Sequence, residues 1–299
     1  MPLRFGLSIP EFQDTSRQVI VDGIPDFSRF DVIGAVRDAV SEGYSVIELA
    51  MDTKHIIPGS LSLETISSLI DLKDELGHSY TAHLPFWSVE LASFNEHVRN
   101  GSIGSTIDAI ELANPLEPEA YILHVTGDLA AEFSNLAYNN GLMRIIANLL
   151  SGFAAASVEE VLSRTELHPR KIAVENVMFP FAITRDLIDD LDLSICFDTA
   201  HLLSRMSGIE SVMDFYRTHS NRITEIHLQD AIYKEYEGAI AREDHIALGH
   251  GIMSDTVLQE LLQELTKDKF DGPIIFELTK DEARNSMNHI KEVVPKVLQ

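Results

Sequence analysis

The decapeptide SICFDTAHLL, residues 194–203, runs through apolar and small residues into Asp198 and then, three positions on, His201. A buried carboxylate is costly unless it is paired or bound to a metal. The same device recurs along the chain. TAHLPFW supplies His83, ILHVTGD supplies His124, AVENV supplies Glu175, EIHLQD supplies His227 and IIFELT supplies Glu277. The stretch REDHIALGHG adds Glu243, Asp244, His245 and His250. One such histidine alone would read as an ordinary hydrogen-bonded side chain. Six successive apolar runs ending this way read differently. Imidazoles and carboxylates gathered at one place are electrostatically poor without a cation between them. Their combination suits zinc first, then manganese, cobalt or iron, and argues against a purely oxygen-ligated magnesium site.

The elements that must position these residues alternate. Strand-like runs lie at 4–9, 45–50, 79–85, 120–126, 171–177, 193–199, 223–229 and 273–279. Helical periodicity fills the intervals near 30–42, 62–76, 92–113, 140–165, 184–191, 210–219, 254–267 and 281–298. The punctuation agrees: Ser62 can cap one helix and Gly77 stop it, Gly43 closes another, and Ser254 or Asp255 opens a third. Eight strand–helix units in a chain of 299 residues predict an α/β fold, a single (β/α)8 TIM barrel over 1–299. A doubly wound sheet would ordinarily carry a glycine-rich phosphate loop, and none is present. In a barrel, residues at the carboxyl ends of the strands converge on one mouth. His55, His78, His97, His168, His219 and His289 fall in loops or helices and read as structural or solvated.

Composition narrows the partners. The chain carries 47 acidic and 23 basic residues, a formal net charge of −24, with no basic run. Such a field repels a polyanion, so no nucleic-acid partner is expected. No uninterrupted apolar run reaches the roughly 18 residues of a membrane span. The start, MPLRFGLSIP, enters a strand without the apolar core of a signal peptide. The lone cysteine, Cys196, sits in an apolar run and fits a buried thiol in a reducing cytoplasm.

The order of the motifs, H-x-P, H-x-x-G, E-N, D-T-x-H, H-L-x-D, an acid-x-H before L-G-x-G and a late E, resembles the xylose isomerase-like TIM barrel superfamily, in the branch of endonuclease IV, or AP endonuclease family 2. The resemblance spans essentially the whole chain. It implies a three-metal site held by His83, His124, Glu175, Asp198, His201, His227, Glu243, His245 and Glu277, with Glu175 bridging metals. The family has Asp where Glu243 stands, and the neighbouring Asp244 is the alternative ligand.

Two reactions follow from the resemblance. Clustered metals would clamp a phosphate and activate a water, with Glu175 holding it: hydrolysis of a small phosphoester, the corrinoid nucleotide loop of cobamide remodelling being one candidate. Alternatively, one metal held by Glu175, Asp198, His227 and Glu277 would polarise a sugar, and Glu175 and Glu277 would move a proton on and off carbon, as in isomerases and epimerases. The additional histidines favour hydrolysis. So does Tyr233, which stands where the ketose-epimerase branch has arginine. DNA repair is disfavoured by the charge. A binding protein with a relic site is a third possibility.

Neighbouring residues complete the expected pocket. Phe86 and Trp87 form either a stacking wall for substrate or a loop packed on its own aromatics. Asn176 is counted with them in the pocket, and its position beside Glu175 suits it to orient that carboxylate. Asp230 is placed to do the same for His227. The apolar stretch 178–184 is a candidate lid or homodimer contact, and 230–244 is expected to be a long specificity loop.

Overall fold

The computed structural model describes residues 2–137, 141–237 and 239–295. The expected tail of the last helix, 296–298, lies outside the described residues. Eight parallel strands close into a barrel: β1 (Arg4–Ile9), β2 (Val46–Ala50), β3 (Ser79–His83), β4 (Tyr121–Leu123), β5 (Ile172–Glu175), β6 (Ser194–Asp198), β7 (Ile223–His227) and β8 (Pro273–Phe276). Each pairs with its neighbour in sequence, and β1 closes the ring by pairing with both β2 and β8. Largely apolar strands form this way because the helices cover their outer face while the barrel interior fills with side chains. All eight strands lie where periodicity places them.

The helical punctuation is also as expected. Ser62 accepts the Thr65 N–H at 3.1 Å, and Gly77 ends the same helix in the left-handed conformation at φ 72°. Ser254 caps the helix Asp255–Asp268 by accepting the Val257 N–H. The short elements were not expected: the helices Phe12–Val19, Thr53–Ile56, Asp128–Ala137 and Thr199–Leu203, and a small hairpin at Ile20–Val21 and Ile24–Pro25.

The stretch 230–244, expected to be a loop, instead lies in an antiparallel hairpin of Asp230–Tyr236 and Ala239–Ile246. Asp230 anchors its base, accepting the N–H groups of Ala231, Gly251 and Met253 at 2.8, 2.9 and 2.8 Å. Only glycine fits at Gly251, because a Cβ would collide with the Ala231 carbonyl and the Asp230 carboxylate. The Asp230 carboxylate is thus committed to these amides rather than to orienting His227, contrary to expectation. The stretch 178–184 is no lid: Phe179 and Phe181 are buried, and the helix Phe181–Asp190 begins inside it.

The helix Gly141–Thr165 is long and apolar enough, by length and composition, to cross a membrane. Asn148, Ser151 and Ser157 break its runs without lowering its average much, which is why counting uninterrupted runs passed over it. Its inner face packs against the helices Glu96–Ala113, Asp128–Ala137 and Phe181–Asp190. Cys196 is buried, and burial pushes its thiol far above the ordinary range.

Candidate metal centre

His83, Glu175, Asp198 and His227 end β3, β5, β6 and β7, while His124 and Glu277 follow β4 and β8 by one residue. Sheet closure brings all six to one rim. His201 joins them from the helix Thr199–Leu203, whose N-terminus Asp198 caps by accepting the His201 N–H at 2.6 Å. The carboxylate that ends β6 thus also aims the next imidazole.

Glu175 is central. Its Oε2 lies 3.3 Å from His83 Nε2 and 2.8 Å from His124 Nε2. Its Oε1 lies 3.0 Å from His201 Nδ1 and 3.7 Å from His227 Nδ1. Glu277 Oε2 sits 3.0 Å from His227 Nδ1 and 3.1 Å from His245 Nε2. Among the described residues four groups of donor atoms have metal-like spacing, each with its atoms within 4.8 Å of one another; three lie at the rim, His83, His124 and Glu175, then Glu175, Asp198, His227 and Glu277, then Asp198, His201 and His245, and the fourth, Glu48, Glu225 and His227, lies beneath them. Glu175 is common to the first two rim groups and Asp198 to the second and third.

Orphaned atoms test whether a cation fits. Glu175 Oε1, His201 Nδ1 and His227 Nδ1 are all buried without a hydrogen-bond partner, yet they face one another. Leaving such groups unsatisfied is costly, and a divalent cation satisfies them together. Tautomers agree. His83 Nδ1 is 3.0 Å from the Leu84 carbonyl and donates to it, which leaves Nε2 bare toward Glu175. His227 Nε2 faces Glu48 Oε2 at 3.1 Å, which leaves Nδ1 toward the cluster.

The buried imidazoles and carboxylates shift one another strongly. Burial pulls the His83 ring down, but Glu175, Glu48 and Glu277 outweigh it and hold it at about 9. His245 is held at about 10, burial again opposing and Asp244 and Glu277 prevailing. His201 and His227 are raised well above the imidazole range against burial, His201 chiefly by Asp198 and Asp244. Burial opposes ionisation of Glu175 and Glu277, yet the imidazoles, His124 and His227 foremost for Glu175 and His227 for Glu277, hold both well below the carboxylate range. Burial lowers His124.

The structure brings eight of the nine expected ligand residues together, and at the ninth position Asp244 rather than Glu243 faces them. Glu243 is exposed on the hairpin opposite Ile232. Asp244 faces His201 Nε2 at 3.5 Å and His245 Nδ1 at 3.3 Å. Alternation along a strand would send Asp244 and His245 to opposite sides. His245 escapes this by adopting the left-handed conformation, φ 54°, so both neighbours reach the cluster. His250 is exposed beyond the hairpin.

Asn176 is buried away from the cavity lining, and its side chain is committed elsewhere than to the Glu175 carboxylate. Its side chain accepts the Asp198 N–H at 2.7 Å and donates to the Asp198 carbonyl at 2.9 Å, tying β5 to β6. Phe86 and Trp87 do lie at the mouth, with the Phe86 ring 4.7 Å from His124 and 5.1 Å from His83.

Three supporting residues went unread in the sequence. Gln229 is fully buried and donates to both Asp198 Oδ2 at 2.8 Å and Glu277 Oε2 at 3.2 Å. Its place two residues after His227 was the available signal. Glu48 and Glu225 lie beneath the cluster, where Thr81 donates to Glu225 at 3.1 Å. Burial, with the charge of Glu48 assisting against the pull of His227, lifts Glu225 to about 8.

Comparison with known proteins places the fold. The family described as xylose isomerase-like TIM barrel matches residues 36–293. An uncharacterized protein of Methanocaldococcus jannaschii is 27% identical over 228 residues, covering 73% of this chain and 70% of that one. A D-tagatose 3-epimerase-like protein superposes with a TM-score of 0.68 at 20% identity, covering 99% of this chain and 98% of the other. Endonuclease IV of Thermus thermophilus superposes with a TM-score of 0.64 at 18% identity, covering 98% of this chain and 100% of the other.

Proposed function

The chain belongs to the xylose isomerase-like TIM barrel family, and on that premise we propose that it is a metal-dependent hydrolase of a small phosphoester. The observation that carries this reading is the division of Glu175, whose two oxygens face different imidazole pairs, His83 with His124 and His201 with His227. One cation needs only the quartet Glu175, Asp198, His227 and Glu277. The flanking histidines provide for more than one. Adjacent divalent ions, zinc foremost and manganese, cobalt or iron as alternatives, would supply Lewis-acid polarisation of the phosphoryl group and a more acidic water.

The chain's own groups have definite parts. Glu175 keeps its charge at neutral pH under the pull of His124 and His227, so it is available as a base between the two imidazole pairs. Glu277 is likewise ionised and is held by Gln229, which accepts its backbone N–H at 3.0 Å and donates to its side chain. Phe86 shields His83 and His124 from water on the open side. No lysine or arginine lines the metal cavity among the described residues. With the net charge of −24, that favours a small substrate over a nucleic acid.

The second reading is sugar isomerisation or epimerisation, favoured by the quartet itself, in which Glu175 and Glu277 both approach His227 Nδ1, at 3.7 and 3.0 Å. Elemental analysis of the purified protein, with generic phosphodiesters and ketoses as parallel substrates, separates the two. Two or three zinc-like ions per chain with phosphodiester turnover support hydrolysis. A single ion with ketose turnover reverses the assignment.

A further inference from the structure

Two cavities meet at the rim. The metal cavity measures about 350 Å³ and the second, alongside it, about 180 Å³. His83, Phe86 and Glu277 line both, so they are compartments of one site. The second compartment is an apolar sleeve. Its apolar walls are Phe12, Phe86, Trp87, Ile56, Ile57 and Pro10.

The polar groups in its lining are largely committed elsewhere. Asp52 accepts the N–H groups of Phe86 and Trp87 at 2.9 and 3.3 Å, which fixes the aromatic loop. Glu11 caps the helix Phe12–Val19 by accepting the Gln13 and Asp14 N–H groups. Thr53 donates to the Ala50 carbonyl at 2.6 Å. No lysine or arginine lines the sleeve among the described residues. It therefore offers little to a hydroxyl-rich sugar chain and nothing to a second anionic group.

Exposure at its rim points the same way. Phe12 is 62% exposed and Trp87 47%, their rings 5.9 Å apart, with Ile56 and Phe86 also partly open to water. Large apolar side chains grouped around the mouth of a polar site mark a binding surface. An apolar cavity of ~150 Å³ is enough for one benzene ring.

We propose that this site takes a ligand of two parts: a single flat apolar ring seated in the Phe12–Trp87 sleeve, and an oxygen-bearing group directed past His83 and Glu277 to the metal cavity. The second part rests on the hydrolase reading, in which that group is a phosphoester; the first does not.

The test uses the zinc-loaded full chain and probes that are not cleaved. Benzylphosphonate and methylphosphonate are titrated calorimetrically, and benzyl alcohol is titrated against the emission of Trp87, the sole tryptophan. Benzylphosphonate is expected to bind at least about tenfold more tightly than methylphosphonate, because ring burial is worth that much or more. Benzyl alcohol is expected to shift the Trp87 emission saturably. Phe12→Ala, at an exposed position, is expected to narrow the phosphonate ratio to within about threefold. The proposal is overturned if neither ring compound changes the emission, if the two phosphonates bind alike, or if Phe12→Ala leaves their ratio unchanged. If benzyl alcohol binds and no phosphonate does, the phosphoester reading fails and the ring-binding sleeve stands. If methylphosphonate binds and no ring preference appears, the sleeve fails and the hydrolase reading stands.

Discussion

His227 and Glu48 form a buried pair 3.1 Å apart, Nε2 to Oε2, directly below the metal cavity. The pair joins β7 to β2 across the barrel interior, and both side chains are fully buried. A carboxylate behind a ligating imidazole sets the ring's orientation and raises its basicity. Glu48→Gln keeps the volume and removes the charge. It is expected to weaken cation affinity by roughly 10–100-fold, measured by chelator competition, while the thermal transition of the metal-free protein stays cooperative. Unchanged affinity would leave Glu48 as a packing residue only.

Metal uptake should release protons. The folded-state values of His83 and His245 are raised, to about 9 and about 10, above the ordinary imidazole value of 6.5. The stability each contributes to the metal-free protein is complete below the unfolded value and is lost as pH climbs through 9 and 10. A cation needs both rings neutral, so it expels their protons at pH 7, and its affinity rises with pH over the same interval. Calorimetry in two buffers of different ionisation enthalpy counts those protons. The metal-free protein should also melt lower at pH 10 than at pH 7. A proton count of zero at pH 7 would contradict these assignments.

Asp244 and Glu243 are adjacent and should behave differently. Asp244→Asn removes the carboxylate that touches His201 and His245, so the metal count is expected to fall by one per chain. Glu243→Gln alters an exposed strand position and should leave the count intact. Mass spectrometry under native conditions reads both. Loss of an ion from the Glu243 variant alone would reverse the assignment.

Glu175→Gln preserves shape and abolishes the charge that four imidazoles converge on. Turnover of a phosphodiester is expected to drop by about 100-fold or more, on the scale of removing a positioned base. Turnover equal to the parent's would remove Glu175 from the chemistry.

Asn176→Ala should act on stability. It strips the Asp198 N–H and carbonyl of buried partners, at a cost of about 1–3 kcal/mol, read by denaturant titration. A neutral result would mean that water fills the gap.

The barrel was legible because its signal is repeated eight times. Each strand is a short apolar run, and a one-residue error at an end changes nothing about which runs pair. The candidate ligands were legible because Asp198, His227 and Glu277 interrupt apolar runs, where a polar residue stands out. Glu48 and Glu225 also sit in strands, but at interior positions rather than at the ends, so reading strand ends alone missed them. Asp230 and Asn176 were recognised as important and given the wrong contacts, since adjacency in sequence does not reveal that a side chain turns back onto backbone amides. Glu243 and Asp244 could not be separated without the left-handed turn at His245, which breaks the alternation a strand would impose. Phe12 was missed because the helix that carries it has a single buried residue, Val19, and so almost no apolar period.

The hairpin 230–246 gives the cluster a modular construction. His245 and Asp244 arrive on an arm grafted between β7 and the following helix, whereas the other donors belong to the barrel or to the short turn beyond β6. On the multi-ion reading proposed above, rebuilding this arm would alter how many ions the rim holds without redrawing the eight-stranded frame.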